Sequence, residues 1–484
     1  DVIRVEDTYY MVSTTMHFMP GCEILQSFDL VHWEHVTYVY ETLDHTDAQQ
    51  LKSGQNIYGQ GMWAASLRYH EGRFYICFVA NDTRKTYLYT SEKIDGPWKK
   101  QLIEGFYHDG SLLFDEDGRN YIVYGNDEIW ITELNEDLTA PKKDGLHRLL
   151  VSDHKNPELG YEGSHIQKIN GYYYIFLVHS LRDRWMRTEA CFYSDSLEGE
   201  FTGGDVLCDD RGYCGQGVAQ GGIVDTPDGK WYAMLFQDSG AVGRIPILLP
   251  VTWKDHFPFF GQNGHVPEEI EVHSTRPGYI YQPLVGSDDF CNGLLPRWQF
   301  NHDPDPRYYH LDALQGTYTI TTREVCTELT QAVNTLTQRM SYPSCAAEVT
   351  VDASALKEGD VAGLCALQGC YAAVGITKHH GKYEVLMLDK KEDGILDMTE
   401  GTVVESHQMD FRLEADFCNM KDEARCYYRV NKGDWLPIGN VHKLYFKLDH
   451  FTGCRFGLFC YAAEETGGSA CFRDFKYYDV DEIS

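Results

Sequence analysis

One pattern recurs five times in the first half of the chain, and a repeat restricts the possible folds more than any single motif does. Each copy opens on acidic residues or Asn at a turn, usually with Gly, runs through aromatics to a Tyr, and continues into apolar residues. The copies are Glu6-Asp7-Thr8-Tyr9-Tyr10, Glu71-Gly72-Arg73-Phe74-Tyr75, Asp117-Gly118-Arg119-Asn120-Tyr121, Asn170-Gly171-Tyr172-Tyr173-Tyr174 and Asp228-Gly229-Lys230-Trp231-Tyr232. Their final tyrosines stand 65, 46, 53 and 58 residues apart. Each copy reads as a hairpin with a strand on either side of the turn. Three copies are followed by a second shared element, a Ser three residues before Leu or Ile and then an aromatic: Ser27 to Trp33, Ser91 to Trp98, Ser194 to Phe201. Repeats of this length carrying several short strands are the mark of propeller blades, so five copies predict five blades. Helical periodicity is nearly absent, which argues against βαβ units.

The repeat stops near Pro258. Residues 259–283 carry Pro and Gly and read as a linker. From 284 to 484 the pattern is short alternating segments with frequent turns, such as Ala346-Ala347-Glu348-Val349-Thr350-Val351 and Arg455-Phe456-Gly457-Leu458-Phe459. That suits a β-sandwich. The expected fold is therefore all-β, with a five-bladed propeller over 1–258 and a β-sandwich over 284–484.

Charge narrows the partners. With 73 Asp and Glu against 42 Lys and Arg the formal net charge is −31, which opposes binding to phosphate backbones and anionic membranes. No apolar run approaches the roughly 18 residues that a membrane span needs. Nucleic acid and membrane are thus not expected as partners. Aromatics make up 13% of the chain, including 33 Tyr, a content that suits β-rich folds and also the stacking of sugar faces on rings. The 15 cysteines are an odd number with no C-x-x-C pair, and several, such as Cys77, Cys191 and Cys460, lie in apolar strand-like runs. They are expected to be reduced, small hydrophobic residues in a cytoplasmic protein. The sequence begins at Asp1 without an initiator Met and enters directly into a strand-like run, so further residues are expected ahead of it.

In a propeller the innermost strand of each blade begins near the central axis, and the residue just before it faces the site. Twelve residues before the final tyrosine of blades two to five stand Trp63, Asp109, Glu162 and Gln220. Two positions further on come the small residues Ala65, Ser111, Ser164 and Gly222. The first turn is one residue shorter, so aligning Asp1 with Ser111 and Ser164 puts the equivalent position of blade one two residues ahead of Asp1. An indole, two carboxyls and an amide then converge. Glycosidic cleavage needs such a pair of carboxyls, one to protonate the leaving oxygen and another for water or the anomeric carbon.

The chain also resembles glycoside hydrolase family 43. The similarity lies in Asp1-Val2-Ile3-Arg4-Val5, Tyr9-Tyr10-Met11-Val12-Ser13, Phe18-Met19-Pro20-Gly21, Asp29-Leu30-Val31-His32-Trp33, Trp63-Ala64-Ala65-Ser66, Asp109-Gly110-Ser111-Leu112, Glu162-Gly163-Ser164-His165 and Gly243-Arg244-Ile245-Pro246. More loosely, Asp289-Phe290 and Trp298-Gln299-Phe300-Asn301 resemble the sandwich appended to that family's β-xylosidases, which implies a concanavalin-like sandwich. The resemblance implies that Glu162 is the general acid and Asp109 the residue that orients it and adjusts its pKa, a neighbouring carboxylate being expected to raise it. It implies a general base two residues upstream of Asp1, outside the sequence. Arg244 would hydrogen-bond the sugar, and Trp63 and Phe18 would wall the pocket. Gln220, His165, Ser111 and His17 are counted with them as substrate-binding positions. Gln220 stands where many members carry a His that helps hold a calcium or water cluster. A neutral amide is a poorer metal anchor, so no cofactor is expected to be required, no metal ligand is assigned, and a structural calcium at the axis is disfavoured. The expected activity is that of an inverting exo-glycosidase on oligosaccharides, β-xylosidase ahead of α-L-arabinofuranosidase. A sugar-binding propeller without catalysis is the rival if the chain truly starts at Asp1.

Overall fold

The structure, a computed structural model, describes residues 1–479. Five four-stranded antiparallel sheets follow one another along the first 260 residues. Blade I holds Val2–Val5, Thr8–Ser13, Gly21–Ser27 and Glu34–Tyr40. Blade II holds Met62–His70, Arg73–Ala80, Lys85–Ser91 and Lys99–Ile103, and blade III holds Ser111–Phe114, Asn120–Asn126, Glu128–Leu134 and His147–Ser152. Blade IV runs Glu162–Ile169, Tyr172–Ser180, Arg187–Ser194 and Thr202–Leu207, and blade V runs Gly222–Asp225, Trp231–Asp238, Arg244–Lys254 and Phe257–Phe260.

The repeated turn does what its residues require. In blades II and IV the first two strands are joined by two residues, His70 pairing with Arg73 and Ile169 with Tyr172. Both central residues take positive φ: Glu71 at 48° and Gly72 at 79°, Asn170 at 50° and Gly171 at 86°. Such a turn matches the twist of the flanking strands, which explains the Gly or Asn in the repeat. The tyrosines that end the copies then pack between blades. Tyr121, Tyr174 and Tyr232 are buried, and Tyr10 and Tyr75 are partly buried against the clusters between neighbouring blades, so these aromatics serve blade-to-blade packing and not sugar stacking.

One largely buried cation pins the axis. Arg68, on the inner strand of blade II, donates through Nη1 to Asp1 Oδ2 at 2.6 Å and through Nη2 to Ser111 Oγ at 2.7 Å. The same guanidinium reaches the carbonyls of Leu112 at 2.8 Å and Ile166 at 3.1 Å. Four blades therefore meet at one side chain. Asp1 and Ser111, equivalent by register, bind the same group.

The second unit is a two-sheet sandwich. One sheet is built on Gln299–Asn301, Leu336–Arg339, Arg455–Tyr461, Val361–Leu367, Ala372–His379 and Lys382–Lys390. Its partner comprises Tyr309–Asp312, Thr317–Thr321, Ser469–Asp479, Ser344–Asp352, Gln408–Asp416, Glu423–Val430 and Leu436–Lys443. Alternating residues such as Val349, Phe411, Leu364 and Phe472 fill the space between them.

The stretch read as a linker is fastened to the propeller. Thr275 N–H donates to Phe28 O at 2.8 Å, Tyr281 Oη accepts from Phe28 N–H at 2.8 Å, and Arg276 pairs with Asp7 at 2.8 Å. The propeller also lends the sandwich a strand. Phe18–Met19 pairs with Gln299–Asn301 and forms the edge of the first sheet. Among the described residues all 15 cysteines are free, ten of them buried, and no helix is long and apolar enough to cross a membrane.

Candidate active site

Each inner strand starts at the same end of the propeller, and the residues of the predicted register gather there. Glu162 opens blade IV's inner strand, where the pairing shifts between Glu162 and His165. Blade II shows the same irregularity between Met62 and Ala65, around Trp63. Such a bulge turns a side chain out of the sheet's alternation and towards a site. Gly163 sits at φ +69°, and a Cβ there would lie 2.3 Å from the Gln220 side chain. The glycine thus lets blade V's amide pack directly beside the acid.

The two carboxyls are brought together as the register predicted. Asp109 holds the left-handed φ of 48°, a strained conformation for a non-glycine residue, and its Oδ2 accepts a 3.0 Å hydrogen bond from Gly163 N–H. Blade III's aspartate is thereby tied to the residue after Glu162. Glu162 Oε2 accepts from Asn126 Nδ2 at 2.8 Å. Between the two acids stands His108, its Nε2 3.4 Å from Glu162 Oε2 and 3.6 Å from Asp109 Oδ2.

The protonation of this group differs from the expectation that Asp109 would raise the pKa of Glu162. Burial pushes Asp109 up to about 6; the neighbouring Glu162 adds to this, and His108 offsets only part of it. Burial also pushes Glu162 upward, but the hydrogen bond and charge of His108, with Arg187 and Arg244, outweigh it and leave that carboxyl below its ordinary value. The reason is a cation that the repeat register did not reveal. His108 itself is raised to about 9: burial opposes its charge, and Asp109 and Glu162 more than compensate. The acids and the imidazole form the one group among the described residues whose donor atoms could share an ion, all within 4.8 Å. Those atoms face one another, Asn126 and Gly163 N–H, an arrangement suited to holding and moving a proton.

Beside the carboxyls lies a cavity of about 190 Å³, lined by Asp1, His165, Gln220, Phe236, Arg244 and Phe451 among others. A cavity of about 150 Å³ holds a benzene ring, so this one is on the scale of a single sugar ring. Arg244 donates through Nε to Asp238 Oδ1 at 3.2 Å and lies over the rings of Phe451 and Phe236, 4.3 and 4.5 Å from their centroids. Its charge acts on both carboxyls. His165 Nδ1 is 3.1 Å from Asp1 Oδ1, and burial holds this imidazole well below its ordinary pKa. Trp63 lies edge-on to Phe451, with centroids 5.6 Å apart.

Three of the expected binding residues are elsewhere. Phe18 is fully buried against Cys326, Leu329 and Tyr371 under the Arg455 guanidinium, so it presents no face to a sugar. His17 packs between His302 and His450, with centroids 4.7 and 5.3 Å away, in the contact between propeller and sandwich. Ser111 has no exposed surface; its hydroxyl accepts from Arg68 and from Ile166 N–H and so holds blades together. Conversely, sequence reasoning missed His108, Asn126, Arg187 and Phe451. His108 adjoins Asp109 and was within reach of the register argument. Phe451 was not, because it comes from the sandwich. There Cys454 N–H donates to Ala241 O at 2.8 Å and Ala241 N–H to Asp422 Oδ1 at 3.1 Å, which seats the Phe451 turn against blade V.

A five-bladed propeller with paired axial carboxyls and a one-sugar cavity defines a glycoside hydrolase. Residues 1–258 match the family model for Glycosyl hydrolases family 43, and the chain belongs to that family. Residues 287–478 match the Beta xylosidase C-terminal Concanavalin A-like domain. Among similar proteins, a β-xylosidase of Formosa agariphila is 26% identical over 99% of this chain and 87% of its own. A non-reducing-end α-L-arabinofuranosidase of Bacteroides ovatus is 25% identical over 65% of this chain and 61% of its own. A solved structure described as a bifunctional GH43-CE protein of Bacteroides eggerthii is 42% identical with a TM-score of 0.91, matching 99% of this chain but only 62% of that longer one.

Proposed function

We propose that the protein is an exo-acting, inverting pentosidase that removes the terminal sugar of xylo-oligosaccharides, with β-D-xylose favoured over α-L-arabinofuranose. The observation that carries this reading is the small cavity next to Glu162 and Asp109, whose Gln220 packs against Gly163, whose Arg244 acts on both carboxyls, and which Phe451 of the sandwich walls in part. A cavity of that size accepts one chain end and not a continuous polymer. Arg244 and Gln220 offer donors for sugar hydroxyls, and Phe236 and Phe451 contribute apolar lining. The names of the similar β-xylosidase and arabinofuranosidase agree with a pentose.

In this mechanism Glu162 protonates the glycosidic oxygen as its bond to the anomeric carbon breaks. Asp109 orients Glu162 through Gly163 and shares the proton of the pair. The water-activating base is the residue two positions ahead of Asp1. What supports that assignment is that Asp1 lines the cavity and occupies the register of Ser111, so a residue two places before it corresponds to Asp109 in its own blade. Inverting enzymes separate acid and base by about 6.5–9.5 Å to admit one water.

Assays on aryl β-D-xylopyranosides and α-L-arabinofuranosides, with NMR of the first-formed sugar, test the reading. Faster release from the xyloside, with α-xylose appearing first, is expected. Preference for the furanoside would reassign the substrate, and β-xylose appearing first would exclude inversion.

A further inference from the structure

The group at the axis that the mechanism above leaves unused is His108. It precedes Asp109 in the turn leading to blade III's inner strand, and its Nε2 faces carboxylates from two blades, at 3.4 and 3.6 Å. Both protein contacts to the Glu162 carboxyl, from His108 and from Asn126, fall on Oε2. Among the described residues Oε1 has no protein hydrogen-bond partner, and it is therefore the oxygen left to carry the transferable proton.

We propose that His108 is a positioning residue for the proton donor: it fixes Glu162 by Oε2 and compensates the charge that appears when Oε1 gives up its proton. The inference rests on the glycosidase reading. In the step, the proton passes from Glu162 Oε1 to the glycosidic oxygen, which keeps the electron pair of the breaking C–O bond. Water supplies the new oxygen at the anomeric carbon, and its proton goes to the base. Glu162 is left as a carboxylate against His108.

The charges around the imidazole support this assignment. Asp109 faces it from its own turn and Glu162 from blade IV. Arg84, in the loop after blade II's second strand, opposes its charge. Arg187 and Arg244, from blades IV and V, act on Glu162. Trp63 of blade II is a neutral neighbour, with ring centroids 6.1 Å apart. With the two acids dominant, the ring stays cationic through neutral pH. A cation there makes Glu162 a stronger acid, which favours transfer to a poor leaving group but narrows the pH range in which the proton is present.

This pairing of effects is what a merely structural histidine would not produce. His108→Gln keeps a donor and removes the charge; His108→Ala removes both. In both variants the descending, high-pH limb of kcat/KM should move to higher pH. Turnover of a poor leaving group should fall about tenfold or more, and that of an activated aryl glycoside much less. NMR titration of the His108 ring should show it losing its proton near pH 9 in the wild type and nearer the ordinary histidine range in Glu162→Gln. An unmoved limb with uniformly lower activity, or a wild-type ring that titrates in the ordinary range, overturns the proposal. A protein inactive on every glycoside tried would instead sink the functional reading, a result the ring titration does not produce.

Discussion

Asp109 and Glu162 divide one proton between them in the free protein, and the division sets the pH behaviour. Burial and the neighbouring carboxylate hold Asp109 near 6, so above that value the pair is doubly ionised and has no proton to donate. Activity should accordingly decline as pH rises past about 6. Replacing Asp109 with Asn removes the negative charge that helps keep a proton on the pair, and leaves Glu162 beside the His108 cation. The high-pH limb of kcat/KM should then move to lower pH, and a limb that stays in place would show that Asp109 does not act through its charge. The residue scale was only partly legible beforehand. Counting back from a repeated tyrosine located Glu162, Asp109, Trp63 and Gln220, because the repeat carries its own register. It misassigned Phe18 and His17, which lie in and beside the short strand that pairs with the sandwich sheet, and no pattern within the first 260 residues records that contact.

The inner strands owe their convergence to Arg68. Its guanidinium is largely buried and binds Asp1 Oδ2, Ser111 Oγ and the carbonyls of Leu112 and Ile166, so adjacent strands are joined where hydrogen bonding within a blade cannot reach. Removing it by Arg68→Ala leaves the Asp1 carboxylate buried without its cation, a loss of about 3–5 kcal/mol. Chemical denaturation of the full chain should show that loss, and a change below about 1 kcal/mol would mean that the blades close without the pin. The five blades themselves were legible because a Gly or Asn turn and an aromatic strand mark each one. The pin was not, since Arg68 reads as an ordinary polar residue on an alternating strand. Only closure of the ring brings Ser111 and Ile166 to it.

At the scale of the whole molecule the propeller and sandwich are built into one another. Phe18–Met19 adds a strand to the sandwich sheet, and Phe451 returns a wall to the propeller's cavity. Between them lie His17, His302 and His450, all fully buried. Burial, together with the charges of the neighbouring histidines, holds His17 well below its ordinary pKa and His302 near 3. For such groups the folded state favours the neutral ring. Their contribution to stability is complete above about pH 6.5 and is lost as pH falls from there towards the folded-state values. The thermal midpoint should thus fall between pH 6.5 and 4, and less steeply in His17→Gln. An equal slope in the variant would mean that the acid sensitivity arises elsewhere. Sequence alone predicted two units joined by a linker, because the change in periodicity near Pro258 is visible. It could not show that the stretch read as a linker, 259–283, is fastened to blade I, since Thr275, Arg276 and Tyr281 find their partners through tertiary contacts.

The central claim is that five repeated blades deliver Glu162 to a one-sugar cavity as the proton donor. Its most direct test is the kinetics of Glu162→Gln on two glycosides of the same sugar, one with a poor alkyl leaving group and one with an activated aryl group. Only the poor leaving group needs protonation, so its kcat/KM should fall by about 10²–10⁴ while the activated substrate loses far less. Equal losses on the two substrates would contradict the account.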